Sequence, residues 1–251
     1  HDLQGTLLEH RAFLSGAMVH GPGLRIYRDS RCLQFAAHTF DASLAETLTP
    51  LIHGACVCIP SEEARLNDIV STINEMRVTQ ACFTPSFIGF IEIESVPGLE
   101  SLVLAGEAMS QSQLTTWSKI KLVNGYGPTE ASVASVLNSN VTPDTDCKDI
   151  GLPIGVRAWL VNPDNHDELV PVGCPGELLL EGPPLARCYV NNPQKTNESF
   201  IYDPAWTTLD PETGSNRRFY KTGDLARYNS DTGALNYVGR KDTQVKVHGQ
   251  R

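Results

Sequence analysis

Ser101-Leu102-Val103-Leu104-Ala105, followed by Lys121-Leu122-Val123-Asn124, decides the fold. Both are short apolar runs rich in Leu and Val, and Ser110–Lys119 between them reads as a helix. Strand, helix and strand in so short a span predict a parallel β-α-β unit with a right-handed crossover. Toward the N-terminus the same rhythm continues. Leu33–Ala37, Ala55–Ile59 and Thr79–Phe83 are further strand candidates, recurring at roughly 20-residue intervals. Arg65–Arg77 carries Leu66, Ile69, Ile73 and Met76 at helical spacing. Parallel sheets of this kind bind ligands in crevices beyond the carboxyl ends of their strands.

Toward the C-terminus the pattern changes. From about Asp149, short runs lie between Pro and Gly turns: Arg157–Val161, Glu177–Leu180, Phe219–Lys221, Leu235–Val238 and Gln244–Val247. Strong helical periodicity is absent, which predicts a smaller, mostly antiparallel and barrel-like β part. The expected division is 1–148 for the α/β part, 149–239 for the β part and 240–251 for a short terminal stretch. Asn191–Ser215 is polar and Pro-rich and reads as a long surface excursion.

Composition narrows the function classes. Of 251 residues, 29 are acidic and 20 basic, a formal charge of −9, which argues against nucleic acid as a partner. No run reaches the roughly 18 apolar residues of a membrane span, and HDLQGTLLEH has no apolar signal core. No membrane association is expected. The seven cysteines are scattered without paired Cys/His spacing, so reduced thiols in a cytoplasmic setting are expected rather than disulfides or a zinc site.

Four loops carry candidate chemistry. Asn124-Gly125-Tyr126-Gly127-Pro128-Thr129-Glu130 follows a strand. Its glycines and proline make a tight turn whose backbone N–H groups suit phosphate oxygens. Thr129 offers a hydroxyl, Glu130 a hard oxygen ligand for Mg²⁺, and Tyr126 a flat face for a purine. The plainer reading is a structural turn. Tyr220-Lys221-Thr222-Gly223-Asp224-Leu225 places an Asp after a Gly turn, where it can accept from two ribose hydroxyls or close an Asx turn. Gly239-Arg240-Lys241-Asp242-Thr243-Gln244-Val245-Lys246-Val247-His248-Gly249-Gln250-Arg251 sets bases among strand-forming Val. In Phe40-Asp41-Ala42-Ser43, Asp41 reads either as a helix N-cap or as a carboxylate for a ligand ammonium.

Taken in chain order, the four segments resemble the adenylate-forming superfamily of adenylation domains, acyl-CoA synthetases and luciferases. A fifth motif agrees: Gly176-Glu177-Leu178, Gly182, Ala186-Arg187-Cys188-Tyr189-Val190-Asn191-Asn192-Pro193 and Thr196. The resemblance runs from Glu9-His10-Arg11-Ala12 onward. FDAS and GRKDTQVKVHGQR make the sequence similar to the non-ribosomal peptide synthetase branch, and to its large N-terminal subdomain.

That resemblance implies an ATP-dependent, AMP-forming ligase. An amino-acid carboxylate attacks the α-phosphorus of ATP with Mg²⁺ bound, and the aminoacyl group then passes to a phosphopantetheine thiol on a peptidyl carrier domain. A condensation domain is the other implied partner. It further implies that Asp41 meets the substrate ammonium and Phe40 walls the carboxylate. Tyr126 would stack on adenine, with Gly106, Glu107, Asn124 and Gly125 near the base edge and Gly127 in the phosphate turn. Thr129 would contact the α-phosphate, Glu130 would hold Mg²⁺, Asp224 would bind the ribose, and Arg240 would reach ribose or phosphate. Residues 240–251 would be the hinge and the start of a small C-terminal subdomain, with Asp242 the residue about which it swings. The implied side-chain pocket is Ala42, Ala45, Cys82, Val103, Ala105, Gly125, Val133 and Ala134. None is charged, and an unpaired buried charge there would be costly, so a neutral amino acid is expected. Ala45 and Gly125 are small, which favours a bulky apolar or aromatic side chain.

The sequence also departs from the family. Gln4 stands where the phosphate loop usually has lysine, only Gly5 matches that loop's end, and the mobile lysine of the small subdomain would fall beyond Arg251. The isolated 251 residues are therefore expected to be inactive and at best a weak binder. Cys188 stands where the motif has Gly. The alternatives are an acyl- or aryl-acid ligase of the same superfamily, for which Asp41 would have no ammonium to meet, and a non-catalytic docking remnant.

Overall fold

Two apolar faces on each central strand dictate what surrounds the sheet. The computed structural model describes residues 5–209 and 216–241. Its elements run β1 (Thr6–Leu7), α1 (His10–Gly23), β2 (Arg31–Leu33), α2 (Ala42–Ile52), β3 (Cys56–Cys58), α3 (Glu62–Asn67), α4 (Ile69–Glu75), β4 (Gln80–Phe83), α5 (Pro85–Ile88), β5 (Ser101–Ala105), α6 (Gln111–Trp117) and β6 (Lys121–Tyr126). They continue β7 (Val136–Asn138), β8 (Asp149–Pro153), β9 (Arg157–Asn162), β10 (Asn165–Leu169), β11 (Gly176–Glu181), β12 (Cys188–Tyr189), α7 (Pro193–Ser199), β13 (Phe200–Tyr202), β14 (Arg218–Tyr228) and β15 (Leu235–Arg240).

Strands β3-β2-β4-β5-β6 are parallel, in that order. Register sets Cys82 beside Val103 and Val103 beside Val123, with Ala105 beside Gly125. Because side chains alternate along a strand, the two faces separate cleanly. Ala81, Phe83, Leu102, Leu104 and Leu122 pack with Ile73 of α4, Ile88 of α5, and Leu114 and Trp117 of α6. Val103 and Val123 pack on the opposite face with Ala45 of α2, Leu24 and Ile26. Full burial of each such Leu contributes about 1.5–3 kcal/mol, so stability concentrates at β4–β6, and the site stands at their carboxyl ends.

β7 turns antiparallel to β6, and β8 pairs with both β7 and β15. From there the antiparallel ladder runs β15-β14-β11-β9-β10, with β13 on β14. The two halves share one continuous path of paired strands, α/β then mostly antiparallel β. Among the described residues that path has two ends, β3 and β10, rather than a closed barrel.

Three local expectations need correction. Arg65–Arg77 is not one helix. Asp68 has φ −147° and ψ 53° and separates α3 from α4, and its carbonyl accepts the Thr72 amide and hydroxyl that start α4. Strand Leu33–Ala37 is displaced to β2, Arg31–Leu33: Gln34 N–H still donates to the Cys58 carbonyl, but Phe35 and Ala36 leave the ladder for bonds to the Glu46, Arg65 and Gln34 side chains. Asn191–Ser215 is not a plain excursion. Asn192 caps α7, its side chain accepting the Lys195 amide at 3.0 Å. Phe200 and Trp206 then anchor the segment in the antiparallel half at 3 % and 6 % exposure. Gln244–Val247 and the proposed hinge Asp242 lie outside the described residues.

Among the described residues no helix is long and apolar enough to cross a membrane, and no group of three or more His, Cys, Asp or Glu side chains could hold a metal ion.

Candidate functional site

The parallel strands deliver their chemistry at one edge. Beyond β5, Gly106 takes φ 88°, a conformation open to glycine. Glu107 then turns to Ser86, accepting its backbone N–H at 3.0 Å and its hydroxyl. Beyond β6, Gly127 passes so close to the opposing loop that a Cβ there would lie 2.7 Å from the Val133 carbonyl carbon and 2.8 Å from Ala134 Cα. Thr129–Ala131 form a single 3-10 turn. Ser132 and Val133 follow at φ 58° and 78°. A β-branched residue at positive φ is strained. Surrounding bonds fix the segment: the Ser132 hydroxyl donates to the Pro184 carbonyl at 2.6 Å, and the Ala186 N–H donates to the Glu130 carbonyl at 2.7 Å.

Glu130 is 2 % exposed, and Tyr189 donates its hydroxyl to Glu130 Oε1 at 2.6 Å. Burial, reinforced by the Glu130 charge, pushes the Tyr189 phenol up to about 12, so it stays a donor. Glu130 and Thr129 are hard oxygen donors of the kind Mg²⁺ takes, and the residues present fit that ion.

A second cluster forms where β14 and β15 pair. Register sets Asp224 opposite Arg240. The carboxylate of Asp224, 1 % exposed, accepts from the Tyr126 hydroxyl at 2.6 Å, the Arg240 guanidinium at 3.2 Å and the Tyr237 hydroxyl at 3.4 Å. Arg240 also donates to the Thr222 carbonyl at 2.9 Å. Gly223, at φ 70°, leaves room for that guanidinium: a Cβ would sit 2.9 Å from its nitrogen. The structure thus brings together Tyr126, Asp224 and Arg240, three residues separated in sequence by up to 114 positions (240 − 126).

A third group gathers on the α2 side of the sheet. Ala45, Val103, Ala134, Cys82 and Val133 belong to one apolar cluster. Gly125 abuts it, since a Cβ there would meet Val103 and Ala105 at 3.4 Å. Burial raises the Cys82 thiol well above its ordinary range, with Glu46 and Asp41 adding to the effect. Asp41 stands at the N-cap of α2, but its side chain makes no capping hydrogen bond. Phe40 beside it is 39 % exposed.

Sequence reading missed Tyr189, Tyr237 and Glu46. Tyr189 lies within the fifth motif, but nothing local tied it to Glu130. Tyr237 gave no local signal, because only the β14–β15 pairing brings it to Asp224. Glu46 did give one. It lies on the buried stripe of α2 with Ala45 and Thr49, a spacing that aims an acid into a core. It is 4 % exposed and accepts the Phe35 and Ala36 amides at 2.8 Å each. Burial pushes it up to about 7, with those amides, Gln34 and Arg65 opposing the rise. The folded state therefore keeps a proton that the unfolded chain releases near the ordinary carboxylate value. This group's stabilisation is complete below that value and is lost as pH rises through about 7. Thermal melts should show Glu46→Gln gaining on wild type between about pH 5 and about pH 8. A pH-independent gap between the two would contradict this.

The sequence matches the family described as AMP-binding enzyme over residues 4–190. It is 68 % identical to nonribosomal peptide synthetase 1 of Aspergillus fumigatus over 99 % of this chain, and 55 % identical to nonribosomal peptide synthetase nlsA of Emericella nidulans over the same share. The chain spans 4 % of the length of each. Among solved structures, an artificially fused adenylation-PCP di-domain from Klebsiella oxytoca superposes with TM-score 0.81 at 25 % identity, covering 98 % of this chain and 46 % of that one. The chain belongs to the AMP-binding enzyme family. Its fold is that of the large subdomain of peptide-synthetase adenylation domains.

Proposed function

We propose that this chain is part of a nonribosomal peptide synthetase adenylation domain that activates a neutral amino acid with ATP. The observation carrying this is the adjacency of Gly125 and Tyr126 on β6. Gly125 abuts the apolar cluster at Val103 and Ala105, while the Tyr126 hydroxyl reaches Asp224. An amino acid on one side of that strand end and a nucleotide on the other would bring carboxylate and α-phosphorus together. Positioning of this sort supplies much of the rate in such reactions.

In this reading a carboxylate oxygen forms a bond to the α-phosphorus, and the bond to pyrophosphate breaks. Thr129 orients the α-phosphate. Glu130, steadied by Tyr189, would hold Mg²⁺, which neutralises phosphate charge when bound. Tyr126 flanks the adenine, with Gly106, Glu107 and Asn124 toward its edge. Asp224 can accept about four hydrogen bonds, so ribose hydroxyls can share it with Tyr126 as Arg240 turns to ribose or phosphate. Asp41 takes the substrate ammonium and Phe40 walls its carboxylate. A carrier-domain phosphopantetheine thiol then attacks the acyl carbon and AMP leaves. The match to an adenylation-PCP di-domain supports that partner, and a condensation domain is the neighbour expected upstream.

The residues implied as the side-chain pocket, Ala42, Ala45, Cys82, Val103, Ala105, Gly125, Val133 and Ala134, include no charged one, which supports a neutral substrate, and the small Ala45 and Gly125 favour a bulky apolar or aromatic side chain. Pyrophosphate exchange with an amino-acid panel, on the full-length protein carrying this chain, should be strongest for that class. Strongest exchange with Asp, Glu or Lys would sink the assignment.

A further inference from the structure

A buried carboxylate outside the reacting groups closes the loop that holds Asp41. β2 ends at Leu33, and the chain then passes through Gln34, Phe35 and Ala36 before reaching Phe40, Asp41 and α2. Gln34 N–H still donates to the Cys58 carbonyl of β3 at 2.9 Å, but the backbone groups of Phe35 and Ala36 are held by side chains. Glu46 Oε2 accepts both the Phe35 and the Ala36 N–H at 2.8 Å. Arg65 donates to the Phe35 carbonyl at 3.1 Å, and the Gln34 amide donates to the Ala36 carbonyl at 2.7 Å. The Phe35 ring packs edge-to-face against Phe83 and tilted against Phe87, at 4.9 and 4.5 Å between centroids. Gln34 and Glu46 are 5 % and 4 % exposed.

The sequence separation gives this clamp its consequence. Glu46 reaches back 10 and 11 residues, so its carboxylate joins the two ends of a short loop that includes Asp41. Within that loop the Ser43 hydroxyl and N–H both donate to the Phe40 carbonyl, at 2.7 and 3.1 Å. Asp41 and Glu46 also lie on the same short helical segment, a little over one turn apart. Ala45, beside Glu46, belongs to the apolar cluster with Cys82 and Val103. Movement of α2 relative to β2 would shift Asp41 and that wall of the pocket together.

We infer that Glu46 is a positioning residue for the amino-acid site: by stapling Phe35–Ala36 to α2 it sets where Asp41 meets the substrate ammonium. This rests on the reading that Asp41 binds that ammonium. Glu46 itself touches no reacting atom. A displacement of about 1 Å in a binding group can cost two orders of magnitude in rate, so losing the staple should be felt in substrate affinity before anything else.

The test is pyrophosphate exchange on the full-length protein, with KM measured separately for the amino acid and for ATP. Glu46→Ala should raise the amino-acid KM about tenfold while the ATP KM stays within about twofold. Glu46→Gln, which keeps an acceptor for the two amides, should recover most of the loss. Glu46→Asp, which retracts the carboxylate by one methylene, should show the same split and serves if the alanine variant does not fold. Equal effects on both KM values, or no effect in either Glu46→Ala or Glu46→Asp, would overturn the inference. Asp41→Ala run alongside separates the two levels. If Asp41→Ala raises the amino-acid KM but the Glu46 variants do not, the staple alone is wrong. If Asp41→Ala has no effect, the ammonium assignment has failed first and takes the inference with it.

Discussion

Gly127→Ala should destabilise the protein by about 3 kcal/mol or more, near the upper end for single substitutions. The added methyl would overlap the Val133 carbonyl oxygen and lie 2.7 and 2.8 Å from the next two backbone atoms. A flexible side chain could move aside, but all three obstacles are main chain. The opposing strand of backbone has little freedom to yield. Ser132 is bonded to Pro184, Ser135 N–H donates to the Tyr126 carbonyl at 3.0 Å, and Ile154 N–H donates to the Ser135 carbonyl at 2.8 Å. Relief would have to come from moving the Thr129–Glu130 turn, so any protein that still folds should also lose nucleotide affinity. Chemical denaturation of wild type and variant, with the midpoint read at unchanged m, measures the first effect. A loss below about 1 kcal/mol would mean that the loop relaxes more easily than this packing allows.

The second large effect is expected at Asp41. Removing one partner of a desolvated charge pair typically costs about 2–5 kcal/mol. Asp41 is half-buried, so the lower part of that range applies. On the reading proposed here, Asp41→Ala should weaken amino-acid binding by roughly 30- to 100-fold, as about 1.4 kcal/mol corresponds to tenfold. No helix-capping bond is lost in the variant, because the side chain makes none to α2. An Asp serving only as a helix cap would show the reverse: a loss of about 1 kcal/mol of stability and an unchanged KM. The two roles are separable in one purified variant by a melting curve and a substrate titration.

Much of the fold was legible because the central strands bury both faces. Continuous apolar runs such as Ser101–Ala105 announce themselves, and its bounds are the observed ones. The motif loops were legible for a related reason: glycine, proline and acid at fixed spacing mark a turn at a strand's carboxyl end. What stayed hidden depended on partners distant in sequence. Asp224 meets Arg240 only through the β14–β15 register, and Tyr126 meets Asp224 only because β6 and β14 converge. Phe200 and Trp206 are isolated apolar residues in a polar stretch. Their burial follows from β13 pairing with β14 and from Trp206 stacking on Trp159 at 4.7 Å, neither of which has a local signature. Residues 34–36 look like a strand continuing from Leu33, yet at Phe35 and Ala36 side chains take the hydrogen bonds that a ladder would have used.

Glu46 shows how a local signal can be present and still pass unread. A lone acid on the inward stripe of a helix conflicts with the apolar pattern around it. Such conflicts mark either an error in the helix phase or a buried polar contact. Here it is the contact, and its two acceptor bonds account for the displaced end of β2.

The central question is whether the substrate carries an ammonium that the protein recognises. The most direct measurement is ATP–pyrophosphate exchange by the full-length protein with an amino acid and its des-amino analogue side by side, for example phenylalanine and 3-phenylpropionate. The two share shape, apolar bulk and carboxylate and differ at the group assigned to Asp41. Exchange with the amino acid at least about 100-fold above that with the analogue, the gap collapsing in Asp41→Ala, is the predicted result. Equal exchange with both by the wild-type protein would contradict it and place the enzyme among ligases that activate plain carboxylic acids.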